Sequence, residues 1–175
     1  GVVSKDLLNS LSAKKITTLI PHDIGITGDI YIPNDLSPGK GFKSHLRRFF
    51  WLQKFVPKIM NKLNAEYFLS PLLEAPLFSD VKSIVLAHDL IPLRYPSISF
   101  LTLYHLTYVP LILKQAKLIL CNSISTAEDL RNFYKVPNHK LYPVKLGFNN
   151  QDFYPIKNIR KKFFLIIGRH NPHKN

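Results

Sequence analysis

The sequence has little sulfur and few acids. It holds one cysteine, Cys121, with one methionine and one tryptophan among 175 residues. A lone cysteine excludes an internal disulfide and a multi-cysteine zinc site, and it fits a reducing compartment. Asp and Glu number 11, and none of them forms a pair suited to two-carboxylate glycoside hydrolysis. No apolar run reaches the roughly 18 residues that span a bilayer, and the longest, 101–113, is broken by Thr, His and Pro. Lys5 and Asp6 fall where a secretory leader would build its apolar stretch, so none is expected. Internal repeats and low-complexity segments are also lacking.

What remains is a globular composition, 46% hydrophobic and 20% charged. A disordered chain would be poorer in aromatic and β-branched residues. The 24 Lys and Arg give a formal charge of +13. That excess suits a polyanionic partner: nucleic acid, an anionic membrane face or a phosphorylated substrate.

Short apolar runs alternate with helical patterns. The expected strands are 16–20, 65–70, 83–87, 118–121, 141–146 and 163–167. Several are apolar without alternation, as strands of a parallel sheet covered on both faces tend to be. The expected helices are 3–11, 45–64, 101–117 with a break at Pro110, and 126–134. The helix 45–64 should turn Phe49, Leu52, Val56, Ile59 and Leu63 inward and leave Arg47, Lys54, Lys58 and Lys62 outside. Pro57 should kink it or begin a second helix. Ser125 and Glu128 have the spacing of a capping box. Residues 21–44, rich in Gly, Pro, Asp and Asn, read as a long loop, and 151–162 as a linker. This alternation predicts an α/β fold, a doubly wound, mostly parallel, Rossmann-like sheet.

Ligands of such sheets sit beyond the carboxyl ends of the strands. There the sequence places His88-Asp89, in the run AHDLIPLRYP. A histidine so placed can bond sugar hydroxyls or phosphate, or move a proton near neutral pH. It could equally cap a turn that Asp89 begins. His22-Asp23 is a second such pair, but carboxylates are too few for a metal-dependent phosphohydrolase. Gly168, Arg169 and Lys174 follow the last expected strand. Gly168 allows a tight turn, Arg169 can fork onto a phosphate and Lys174 adds a point charge, so they form a candidate diphosphate clamp or a basic surface loop. The basic helix 45–64 could lie on anionic lipid, with Trp51 and its Phe neighbours at the interface, or simply pack a core. Tyr104, Tyr108 and Tyr134 read as packing residues.

Four ordered motifs, HDLIPLRYP, LILCNSISTAEDL, LGFNNQDFYP and FFLIIGRHNPHKN, resemble the group 1 glycosyltransferases (glycosyltransferase family 4), retaining enzymes of GT-B fold. The likeness is greatest to bacterial mannosyltransferase-like members of polysaccharide assembly. It covers most of the chain and is most specific over 66–175.

The resemblance implies an acceptor-side Rossmann-like domain over 1–150, an interdomain linker at 151–162, and the start of a donor-binding domain at 163–175. It implies transfer of a sugar from a nucleotide diphosphate sugar to a glycan or lipid-linked acceptor, with no metal or other cofactor. His88 matches the family's catalytic-cleft histidine. Gly168, Arg169 and Lys174 match the donor-diphosphate site, while Asp89 and Gly1 fall along the acceptor side of the cleft. Asn149 stands where the family often has Asp. The family's donor region continues beyond the equivalent of Asn175 with a pair of glutamates, so this chain alone is expected to be inactive. The expected location is cytoplasmic, and the basic helix 45–64 could hold it peripherally at the inner face of the cell membrane. Two other classes fit the charge, a nucleic-acid-binding module and a non-catalytic peripheral membrane domain. The first lacks the motifs such modules show, so no nucleic acid is expected as partner.

Overall fold

The computed structural model describes residues 16–21, 28–36, 41–145, 147 and 164. The order is β1 (Leu19–Pro21), β2 (Ile30–Ile32), α1 (Gly41–Leu63), β3 (Tyr67–Ser70), β4 (Lys82–Ala87), α2 (Ile91–Arg94), α3 (Phe100–Thr107), α4 (Val109–Gln115), β5 (Leu118–Cys121), α5 (Ile124–Tyr134) and β6 (Leu141–Pro143). This is an α/β architecture, with a four-stranded parallel sheet flanked by helices. It is compatible with a Rossmann-like fold. A separate parallel pair, β1–β2, precedes it. The expected helix 3–11, strand 163–167 and linker 151–162 lie outside the described residues, apart from the exposed Phe164.

The strand order β3-β4-β5-β6 follows the chain. Right-handed crossovers in that order place their helices on one face. The burial agrees. Val85 and Ala87 of β4 and Ile119 and Cys121 of β5 share a core with Tyr104, Ile112, Leu113 and Leu130 of the helices. The register puts Val85 opposite Ile119 and Ala87 opposite Cys121, so these side chains lie on the same face. The alternate positions are more open, with Tyr67 48% and Tyr142 61% exposed.

Several boundaries differ from the sequence reading. The segment 21–44 holds more than a loop: β2 pairs with β1, a 3₁₀ turn spans Asn34–Leu36, and α1 already begins at Gly41. A three-residue strand is too short for its alternation to show. Pro57 lies inside one helix assigned from end to end. On its inner face Leu52, Val56 and Met60 are buried against Trp51, Phe68 and Val81. Met60 thus takes an inward place expected of Leu63, which is exposed in the last turn. The helix 101–117 divides at Tyr108, and Pro110 sits in the first turn of α4, where a missing N–H leaves no bond unmade. The last strand ends at Pro143 instead of residue 146.

The cap of α5 is also corrected. Its N-cap is Ser123, whose Oγ accepts from the Thr126 N–H at 3.0 Å. Ser125 instead lies within the first turn and accepts from Arg94 Nη2 at 3.1 Å. The helix begins soon after β5, two residues earlier than the Ser125–Glu128 spacing suggested.

Candidate functional site

The carboxyl ends of β3, β4 and β5 bring together Pro71, His88 and Asn122-Ser123. A strand that ends at Ala87 delivers His88 to this edge. Its Nε2 lies 2.9 Å from the Pro71 carbonyl oxygen. A carbonyl only accepts, so in the neutral ring Nε2 carries the proton and Nδ1 keeps the lone pair. The His88 carbonyl is 3.1 Å from Thr126 Oγ1, which is also 2.9 Å from Asn122 Oδ1. These contacts place the amino end of α5, with its positive dipole, beside His88.

Asp89 serves the turn. Its Oδ1 accepts from the Ile91 N–H at 3.1 Å, which starts α2. Arg94, at the end of the same motif, forks onto Asp129 at 2.7 and 2.8 Å and so ties α2 to α5. Asp89 and Arg94 thus shape the turn that follows His88.

The segment after β3 is fastened at nearly every residue. Leu72 N–H donates to Ser70 Oγ at 3.3 Å. Tyr104 Oη donates to the Leu73 carbonyl at 2.8 Å. Arg48 forks onto the Glu74 carboxylate. The Ala75 carbonyl accepts from Tyr108 Oη at 2.8 Å and from Gln53 Nε2 at 3.2 Å, while Gln53 Oε1 accepts from Leu77 N–H. Pro71, which orients His88, therefore belongs to a loop held by α1 and α3. The sequence reading missed Arg48, Gln53 and Glu74 as a group. Apart from the His45 contact of Arg48, their partners lie on segments 12 or more positions away, which no local spacing reveals.

The packing role expected of the tyrosines holds. Burial raises the pKa of Tyr104, Tyr108 and Tyr134. All three hydroxyls donate to main-chain carbonyls, that of Tyr134 to His105 O at 2.7 Å.

Gly1, Gly168, Arg169 and Lys174 lie outside the described residues, as do His22 and Asp23. Among the described residues no group of His, Cys, Asp and Glu is placed to hold a metal ion, and no helix is long and apolar enough to cross a membrane.

The fold and this edge define an α/β protein with a parallel sheet and a histidine at the carboxyl end of one strand. Comparison with family models, with curated proteins and with solved structures gives no match.

Proposed function

We propose that the chain forms the acceptor-side, Rossmann-like domain of a retaining glycosyltransferase of GT-B architecture. The reaction is transfer of a sugar from a nucleotide diphosphate sugar to a glycan or lipid-linked acceptor. The observation that carries the reading is His88 at the carboxyl end of β4, its Nε2 committed to Pro71 and its Nδ1 left with a lone pair. The four ordered motifs, whose resemblance points to the same chemistry, support it.

In this reading His88 accepts a hydrogen bond through Nδ1 from a hydroxyl of the donor sugar. That contact orients the sugar as positive charge grows at its anomeric carbon. The leaving diphosphate gains negative charge as the glycosidic bond breaks. Arg169 and Lys174 are the side chains proposed to stabilise it, with Gly168 allowing their turn. Fixed cations then do the electrostatic work that a divalent metal does in other transferases.

The test is transfer by the enzyme carrying this chain, screened over nucleotide diphosphate sugars. His88→Ala should lower kcat about a hundredfold, the usual cost of one lost transition-state contact. Unchanged kinetics would remove His88 from the site.

A further inference from the structure

We propose that the uncharged outer face of α3 and α4, with the groove beside it, is the surface on which a second copy of this chain docks. The 19 residues between Arg94 and Lys114 contain no Lys, Arg, Asp or Glu, on a chain whose formal charge is +13. Two such cations repel each other over most of their surfaces. They meet closely only where that charge is absent. Depletion of charged residues is also the compositional mark of an interface core.

The run folds so that much of it faces outward. Tyr108 keeps right-handed helical angles between α3 and α4, so helical spacing carries from one to the other. The inner side, with Tyr104, Val109, Ile112 and Leu113, lies in the core. On the outer side two rows run next to each other. Thr102, Leu106 and Pro110, four residues apart, line one wall of a groove of about 560 Å³. Leu93, Pro96 and Phe133 line the rest, with Tyr134. Leu103, Thr107 and Leu111 form the neighbouring ridge. Leu103, Leu106, Leu111 and Phe133 are 56%, 62%, 52% and 46% exposed, so none of them belongs to the core.

The groove asks for no polar ligand. Tyr134 Oη donates to the His105 carbonyl at 2.7 Å, and Thr102 Oγ1 lies 3.1 Å from Ser99 Oγ. On the ridge, Thr107 Oγ1 donates to the Leu103 carbonyl at 2.8 Å, so its hydroxyl is satisfied within the helix. An apolar ridge beside an apolar groove is self-complementary. A two-fold axis lays the ridge of each copy in the groove of the other, an isologous contact. Rows four residues apart that interlock in this way set the helices crossing at about 50°. The two rows and Phe133 offer on the order of 600 Å² per copy, so a pair covers about 1,200 Å², the lower end of stable, specific interfaces. A reversible dimer is the expected result. It rests on packing and charge alone and stands whether or not His88 meets a sugar.

The experiment is sedimentation equilibrium of the 175-residue chain over a concentration series. The mass should rise from the 20.2 kDa of one chain toward twice that value. Pairs should dominate by about 200 μM, well above a micromolar Kd. Added salt should strengthen pairing, because it screens the repulsion between two positive copies. Leu103→Glu combined with Leu111→Glu should weaken it at least about a hundredfold, since each copy then carries two unpaired carboxylates into the contact. Both positions are exposed and glutamate is a good helix former, so circular dichroism and Tm should match the parent. Ile124→Glu, on α5 at 68% exposure and outside the groove, should leave pairing unchanged. The mass of a single chain at every concentration overturns the proposal. So does pairing that survives the double variant, which moves the contact to another face. Vesicle binding by a chain that stays single, lost in the double variant, also overturns it and assigns the face to lipid.

Discussion

The Arg48 guanidinium grips the Glu74 carboxylate with two bonds, Nε to Oε2 at 2.5 Å and Nη2 to Oε1 at 2.6 Å. The pair joins α1 to the loop after β3, and the side chains are only 14% and 11% exposed. Removing one partner leaves a buried charge. Arg48→Met should therefore cost about 3–5 kcal/mol of unfolding free energy. Adding Glu74→Leu should recover a large part of it. Urea denaturation of the single and double variants measures the coupling.

The cap assignment has its own test. Ser123→Ala removes the acceptor for Thr126 N–H and should cost about 1 kcal/mol. Ser125→Ala loses only an exposed contact from Arg94 and should stay within about 0.5 kcal/mol. Equal losses in thermal unfolding would restore Ser125 as the cap.

Two histidines make stability depend on acid. Burial holds His105 below the ordinary imidazole value, with Asp89 opposing. Burial does the same to His45, where Glu74 opposes and Arg48 reinforces. Arg48 Nη2 donates to His45 Nδ1 at 3.0 Å, so Nε2 carries the proton, and it has no partner among the described residues. For both rings the unfolded chain takes up protons first. Stability is thus full at pH values above about 6.5 and falls as the pH drops through it. Urea midpoints at about pH 7.5 and about pH 5.5 should show this fall, and His105→Gln should flatten it.

Cys121 lies in β5 with no exposed surface, and burial pushes its thiol up to about 11. The thiolate is scarce and out of reach. Iodoacetamide should label the folded chain about a thousandfold more slowly than the urea-unfolded one. Fast labelling without denaturant would show that β5 opens on its own.

The sequence by itself determined the α/β class, the place of most elements and the arrival of His88 at a strand's end. Apolar runs such as LILC and the helical spacing of Leu52 and Val56 are local signals, and burial of those faces enforces them. The two faces of α1 were legible in the same way. Tertiary structure alone decided which cations are spent and which are free. Arg48 and Lys54 look alike in sequence, yet Glu74 waits 26 positions away for one of them. It also decided the His88 tautomer through Pro71 O, and the cap of α5, where β5 ends too close for Ser125 to serve. These depend on contacts between segments that only the folded sheet brings together. A pattern read along one segment holds no information about the other.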